Sequence, residues 1–409
     1  MTKSQLVPFW ALFSLSRGLN ITKSDYTTDG IPCISYGDVH GRYRGFVDAS
    51  TDPLPKVPES FFKSDPKSLL KDGDFVFADT SEDYDGAGDC TCILNSGVNL
   101  FAGYHITIAR PRHPEQIDKD YFGFYFQTNQ FKNQVRLQVN GVKVFSVTNK
   151  ILNATRLYVP ERENQKNIGS KLKRKVKQID EALSCLNELR EKQEKLSQSL
   201  ITHAVTKGRN PDVQLQDYGL PLWSLCTCND DVLSENTSPD LIVKYADISN
   251  VTSKNGVEGY TVYHFANAPS RARRLVRPGD IVISTVRTYL KAIALIGQEH
   301  SDFVFSTGFA VIRPKNVEDA EKIFLALKSS LFIDQVNKAS KGVAYPAITA
   351  SDLMHLKVII PDDLDNLRVK LNLIRELVVQ LQQQKDKLNS YRNSLIDRSI
   401  SSAEVGYEN

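Results

Sequence analysis

Cysteine is scarce in this sequence and poorly spaced for holding a metal. There are six cysteines among 409 residues, and the close pairs, Cys90 with Cys92 and Cys226 with Cys228, follow a CxC spacing. A structural zinc site wants paired CxxC arms, so no metal is expected and reduced thiols packed as small apolar groups are the simpler reading. Long apolar runs are missing too. The opening MTKSQLVPFWALFSLSRGL breaks its apolar stretch too early for a secretory signal, and no segment approaches the roughly 20 apolar residues that cross a bilayer. A cytoplasmic location without membrane contact is the expectation. Catalytic signatures are also lacking: there is no GxxxxGK(S/T) phosphate loop, no HExxH helix and no GxSxG elbow. Among the carboxylates, Asp72, Asp74, Asp280 and Asp302 imply no ligand cluster, and Gly-Asp turns account for Asp74 and Asp280. No catalytic residue, cofactor or metal is assigned.

What is present is an ordinary globular composition, 41% hydrophobic and 24% charged. The length exceeds what one hydrophobic core usually organises, which predicts two or three units. A formal charge of +3 does not announce nucleic-acid binding by itself, so charge has to be read region by region.

The most informative feature is an internal repeat. LVPFWAL around Trp10 is answered by LPLWSL around Trp223. KDGDFVFADT, through Gly73 and Asp74, is answered by RPGDIVISTV, through Gly279 and Asp280, each a glycine turn followed by a strand-like run. NGVKVFSVTNKILNATRLYVP, from Asn140 to Pro160, aligns without a gap to KGVAYPAITASDLMHLKVIIP, from Lys341 to Pro361, 201 positions later. Gly141 with Gly342, Val142 with Val343, Thr148 with Thr349, Leu152 with Leu353 and Pro160 with Pro361 are shared. Within the repeats Trp10 and Trp223 are expected to anchor cores, and Phe122, Phe124 and Phe126 alternate as a half-buried strand would.

Each repeat leads into a helical segment. From Asp362 to about Ser402 the positions Leu364, Leu367, Leu371, Ile374, Val378, Leu381, Leu388 and Leu395 step by three and four, as a coiled-coil seam requires, with Lys385 as a polar intrusion. From Glu161 to about Val205 a less regular stripe runs through Ile168, Leu172, Val176, Ile179, Leu183, Leu186, Leu189, Leu196 and Leu200. Lone helices would leave these stripes in water, so the two are expected to pair antiparallel. Some 40 residues make a rod of roughly 60 Å. The predicted architecture is two tandem α/β (α+β) modules, residues 1–160 and 207–361, each followed by a long helix, 161–206 and 362–403, with a tail at 404–409. Twin modules on a fixed spacer suit a ligand with two sites at a set distance, and duplex DNA is one.

In this order of elements, and above all in KGVAYPAITASDLMHLKVIIP before the second helix, the whole chain resembles the specificity subunits of type I restriction-modification systems. The (D/N)PP(Y/F) tetrapeptide carried by adenine methyltransferases of such systems is absent. The resemblance implies a non-catalytic subunit in which each module reads one half of a bipartite double-stranded DNA target. It implies that the helices set the spacer and dock two modification (methyltransferase) subunits, restriction subunits joining through the complex. The competing readings are a coiled-coil scaffold joining two protein-binding domains and an enzyme with an unrecognised site.

Phosphates want Lys and Arg on loops, and base edges want Arg, Asn and Gln. In the second module Arg287, Tyr289, Lys291, Lys338, Lys341 and Tyr345 flank repeated blocks and are favoured over the run Arg271, Arg273, Arg274 and Arg277. In the first module the candidates are Arg42, Tyr43 and Arg44 in HGRYRG, Lys132, Gln134 and Arg136 in NQFKNQVR, and Lys143. This module departs from the second in reading VKVFSV for VAYPAI. It also carries an acidic loop, SEDYDGAGD, expected to lie away from the phosphate backbone or to face another subunit. Leu172, Ile179, Leu186, Leu200, Leu367, Leu371, Ile374, Val378, Leu381 and Leu388 are the expected helix-pairing positions.

Overall fold

In a computed structural model, residues 5–43, 45–94, 97–141, 144–207, 215, 217–342, 344–362 and 364–405 are described. The chain divides into two compact units, Met1–Leu186 with Gln383–Asn409, and Asn187–Gln382.

The first unit is built on a five-stranded sheet. Its order is Phe13–Arg17, Ile106–Pro111, Phe75–Ala78, Cys90–Leu94 and Gly45–Asp48, antiparallel except for the last pair. In the second unit the strands Cys226–Cys228, Phe309–Pro314, Ile281–Ser284 and Ile293–Leu295 form an antiparallel sheet that repeats the first four. Two short helices cover each sheet, Lys119–Tyr125 and Asn129–Arg136 in one, Ala320–Lys328 and Ser330–Ala339 in the other. Thr128 and Ser329 cap the second helix of each pair by accepting from the amides of Phe131 and Phe332. The gapless repeat block then folds alike in both: Thr148 and Thr349 cap six-residue helices, and each is followed by a short strand paired back to the start of its repeat.

The Gly-Asp turns are identical devices. Gly73 and Gly279 sit at φ +79° and +89°, a region that side chains other than glycine rarely adopt. The carboxylate of Asp74, almost fully buried, accepts from the Lys71 amide at 2.8 Å and from the Arg110 guanidinium at 2.6 and 2.9 Å. Asp280 repeats this with the Arg277 amide at 2.8 Å and Arg313 at 2.7 and 2.8 Å. The other two carboxylates considered as ligands are also engaged, Asp72 with Lys119 and Asp302 with Lys244.

The long helices run Arg162–Thr206 and Leu364–Val405. Within the first unit Leu172 and Val176 share a core with Ile396 and Ile400, while Asp180 pairs with Arg392 at 2.9 Å. Within the second, Arg190 reaches Gln382 at 2.9 Å and Ile201 packs with Leu367, flanked by Leu200, Leu364 and Leu371. Rising numbers on one helix meet falling numbers on the other in each unit, so the pairing is antiparallel. Of the expected positions, Leu172, Ile179, Leu367 and Ile374 are buried, and Leu186, Leu200, Leu371, Val378, Leu381 and Leu388 are half-buried. Two stripe positions need correction: Leu189 and Leu196 are exposed, and Ile201 and Val205 are buried instead. On the C-terminal helix Ile396 and Ile400 carry the last turns more deeply than Leu395. The cause is the mismatch between 3.6 residues per turn and a seven-residue repeat, which rotates an apolar face by about 20° per heptad.

Two further expectations are overturned. Trp10 and Trp223 are 57% and 52% exposed, and their neighbours Phe9 and Leu222 fill the cores completely. Each indole stands on a single helical turn, Phe9–Leu12 or Leu222–Leu225, where only one of two adjacent side chains can face inward. Phe122 and Phe124 lie on a helix rather than a strand, with Phe126 at its C-cap. All three are buried because sheet and long helix enclose that helix from both sides, which removes the half-exposed face the alternation implied. No described helix is long and apolar enough to cross a membrane.

Replacing Asp280 by Ala is expected to destabilise the second unit by about 3 kcal/mol, the usual cost of stranding one partner of a buried ion pair. A lower urea midpoint would show it; an unchanged midpoint would mean that Arg313 finds other partners.

Candidate nucleic-acid interface

After strand Ile281–Ser284 the second unit turns through Thr288–Leu290, and the residues on either side, Arg287 and Lys291, adopt left-handed backbone conformations with φ +51° and +52°. That geometry is uncommon for side chains with a Cβ and is held here by the surroundings. Val286 bridges to Ala347, the Ile348 amide donates to the Thr285 carbonyl at 2.8 Å, and the Thr288 hydroxyl lies 3.0 Å from that of Ser340. Lys341 and Ala347 exchange backbone hydrogen bonds at 2.8 and 2.9 Å. These bonds bring three separate stretches of sequence to one surface. The Arg287 guanidinium lies 5.3 Å from the Tyr345 ring centroid, a cation–π contact. Tyr289 and Tyr345 are exposed, as are Lys291, Lys338 and Lys341. Among the described residues no carboxylate pairs with Arg287, Lys291, Lys338 or Lys341. The disfavoured arginines differ: Arg277 pairs with Asp231 at 2.8 Å and Arg273 lies over Phe265.

In the first unit the candidates scatter. NQFKNQVR is a helix, not a loop, and its polar groups are engaged internally. Lys132 pairs with the buried Asp89, which also takes His40 at 2.9 Å. Burial alone would lower the His40 pKa, but the bonds to Asp89 and the Thr80 carbonyl outweigh it and raise it. Gln134 exchanges two hydrogen bonds with the backbone of Arg156, at 2.8 and 3.0 Å, and its counterpart Gln335 does the same with Lys357 at 2.9 and 3.1 Å. Arg136 is mostly buried and donates to the Asp85 carbonyl. Tyr43 is 6% exposed and donates to the Pro53 carbonyl at 2.6 Å. Arg42 is exposed, donating at 3.3 Å to that same carbonyl. Arg44 and Lys143 lie outside the described residues.

The acidic loop occupies an unexpected place. Thr80 pairs with Ser146 and the Val147 amide donates to Asp79 at 2.8 Å, the same two contacts that Val286 with Ala347 and Ile348 with Thr285 make in the second unit. Glu82, Asp83 and Asp85, all exposed, therefore stand where the second unit presents Arg287 and Lys291. One frame carries surfaces of opposite charge. What sequence reasoning missed is the reason for Gln134: the amide clamp shows only when Gln134 and Gln335 are set beside each other at the offset of the repeat.

The family model described as "Type I restriction modification DNA specificity domain" matches residues 12–189 and 270–384, one stretch in each repeat. The chain belongs to that family. No curated protein matches it. Among solved structures, the S subunit of the type I restriction-modification system from M. genitalium is 13% identical, covering 97% of this chain and 96% of its own, with a TM-score of 0.40. The HsdS subunit from Thermoanaerobacter tengcongensis is 16% identical over 99% and 97%, with 0.43. A chain from a study of complex assembly and conformational transition of the type I R-M system is 15% identical over 98% and 97%, with 0.58. At 15% identity the last of these likenesses is one of fold. Family and fold together make this chain a DNA specificity subunit of a type I restriction-modification system.

Arg287→Ala and Lys291→Ala are each expected to weaken duplex binding and to reduce the slope of log K against log salt by about 1, the signature of one lost phosphate contact. Titrations at several salt concentrations measure it, and an unchanged slope would place the DNA elsewhere.

Proposed function

We propose that residues 1–160 and 207–361 each read one half of a bipartite duplex target. The helices at 161–206 and 362–403 set the spacer and dock two modification subunits, and restriction subunits join through these. In this reading the chain performs no catalysis itself and supplies sequence choice to partners that do. Its observation is the pairing of one repeated frame with two chemically opposite surfaces. A reader of two different half-sites needs the same scaffold twice and different contacts on each.

In the second module the reading assigns phosphate and base contacts to Arg287, Tyr289, Lys291, Lys338, Lys341 and Tyr345. No carboxylate pairs with the four cations among the described residues, so binding phosphate does not require breaking an ion pair. In the first, Arg42 keeps such a role, whereas Tyr43, Lys132, Gln134 and Arg136 are placed by their internal bonds in the frame.

Mapping adenine methylation across the genome with and without this chain tests the whole reading. A bipartite methylated sequence that vanishes with the chain supports it. Exchanging residues 1–150 for the first module of another family member is expected to change one half of that sequence and leave the other. Changes in both halves would contradict modular reading, and a chain whose duplex affinity ignores salt would favour a protein scaffold.

A further inference from the structure

The first module needs a means of recognition that does not depend on phosphate attraction at its acidic loop, and beside that loop lies a cavity of about 240 Å³. Its walls are Tyr26, Tyr36 and Tyr104, with Ser35 and Asp38 among its lining and Lys23 exposed at its rim. The Tyr36 and Tyr104 rings lie 5.5 Å apart at 67°, and Tyr26 and Tyr104 lie 6.3 Å apart at 46°. These are ordinary edge-to-face and tilted ring contacts, and the open volume lies beside the rings, which line it.

The polar groups are fixed. The Tyr26 and Ser35 hydroxyls are 2.7 Å apart, and Asp38 Oδ2 accepts from the Ser35 amide at 3.0 Å. Asp38 Oδ1 makes no hydrogen bond among the described residues. Burial pushes the Asp38 carboxyl above its usual range, against the opposing pull of the Ser35 amide and Arg42. His105 joins the cavity to the acidic surface. Its ring lies 5.6 Å from Tyr36 and 5.8 Å from Tyr104, and its Nδ1 is 3.0 Å from Asp79, next to the Thr80–Ser81 strand. His105 also holds a left-handed backbone at φ +55°, as Arg287 and Lys291 do on the second module's surface.

We propose that this cavity receives one nucleobase bearing an exocyclic amino group, turned out of the first half of the target. The base stacks on the tyrosine rings, donates its amino hydrogen to Asp38, and has its phosphate met by Lys23. The volume suits a single heterocycle, since pockets for drug-sized molecules start near 300 Å³. Stacking on aromatic side chains is the general way proteins hold an unpaired base, and hydrogen bonds to its Watson–Crick edge supply the choice. The inference rests on the reading of residues 1–160 as a half-target reader.

The test uses the full complex with its modification subunits on duplexes carrying the mapped target. 2-Aminopurine replaces each first-half base in turn except the methylated adenine, which a methyltransferase extrudes on its own account. Emission is expected to rise several-fold at one position on binding. The rise should disappear in Tyr36→Ala, survive in Tyr36→Phe, which keeps the ring, and shrink in Lys23→Ala, a surface change that does not threaten folding. A complex that binds its duplex tightly with no rise at any position would overturn the pocket and leave the half-target reading standing. A rise that survives Tyr36→Ala would also overturn it. Failure of the half-target reading has a separate sign, which is methylation changing in both halves after the module exchange.

Discussion

A carboxylate buried at a turn is the constraint on which each module depends. Asp74 and Asp280 have almost no access to water, so every lone pair must find a donor within the protein. The turn supplies one amide, and an arginine from the neighbouring strand supplies two parallel N–H groups in the fork geometry that suits a carboxylate. The bonds from Arg313 to Asp280 and Asp231 raise that guanidinium's pKa, against burial, which lowers it. The Asp–Arg pair ties the start of one strand to the far end of the next and so fixes their register. Register in turn decides where the strands end, and the loops that carry the acidic and the basic surface begin there, at Thr80 and at Val286.

Much of this was legible in the sequence because the chemistry is local. A glycine ahead of an aspartate, a threonine at the head of a helix and a gapless block 201 positions apart announce turns, caps and a repeat without knowledge of the third dimension. The basic surface of the second module was also legible, because its residues flank those blocks. Other features depend on what lies across the chain. Neither indole reveals that an adjacent Phe9 or Leu222 takes the core, and the Phe122–Phe126 alternation has meaning only for a half-buried element. Gln134 and Lys132 resemble DNA-reading groups in composition alone; their partners Arg156 and Asp89 are 22 and 43 positions away. The tyrosine cavity gathers Tyr26, Tyr36 and Tyr104 from two distant stretches and leaves no motif.

The contrast between the modules is chemical rather than architectural. Where one presents arginine and lysine beside a tyrosine, the other presents three carboxylates at the same place in the frame. Duplex DNA offers uniform phosphates and variable base edges. A surface short of phosphate attraction has to obtain its hold from the bases themselves, from shape, or from partners.

The fastenings of the frame are the Asp–Arg pairs, the glutamine clamps and the threonine caps, and none of them draws on Glu82, Asp83, Arg287, Tyr289 or Lys291. These outward side chains can therefore be exchanged without loosening what carries them. A lineage under pressure to recognise new DNA can alter its address while keeping its architecture, and the reversed charge between two halves of one molecule is an instance of that freedom.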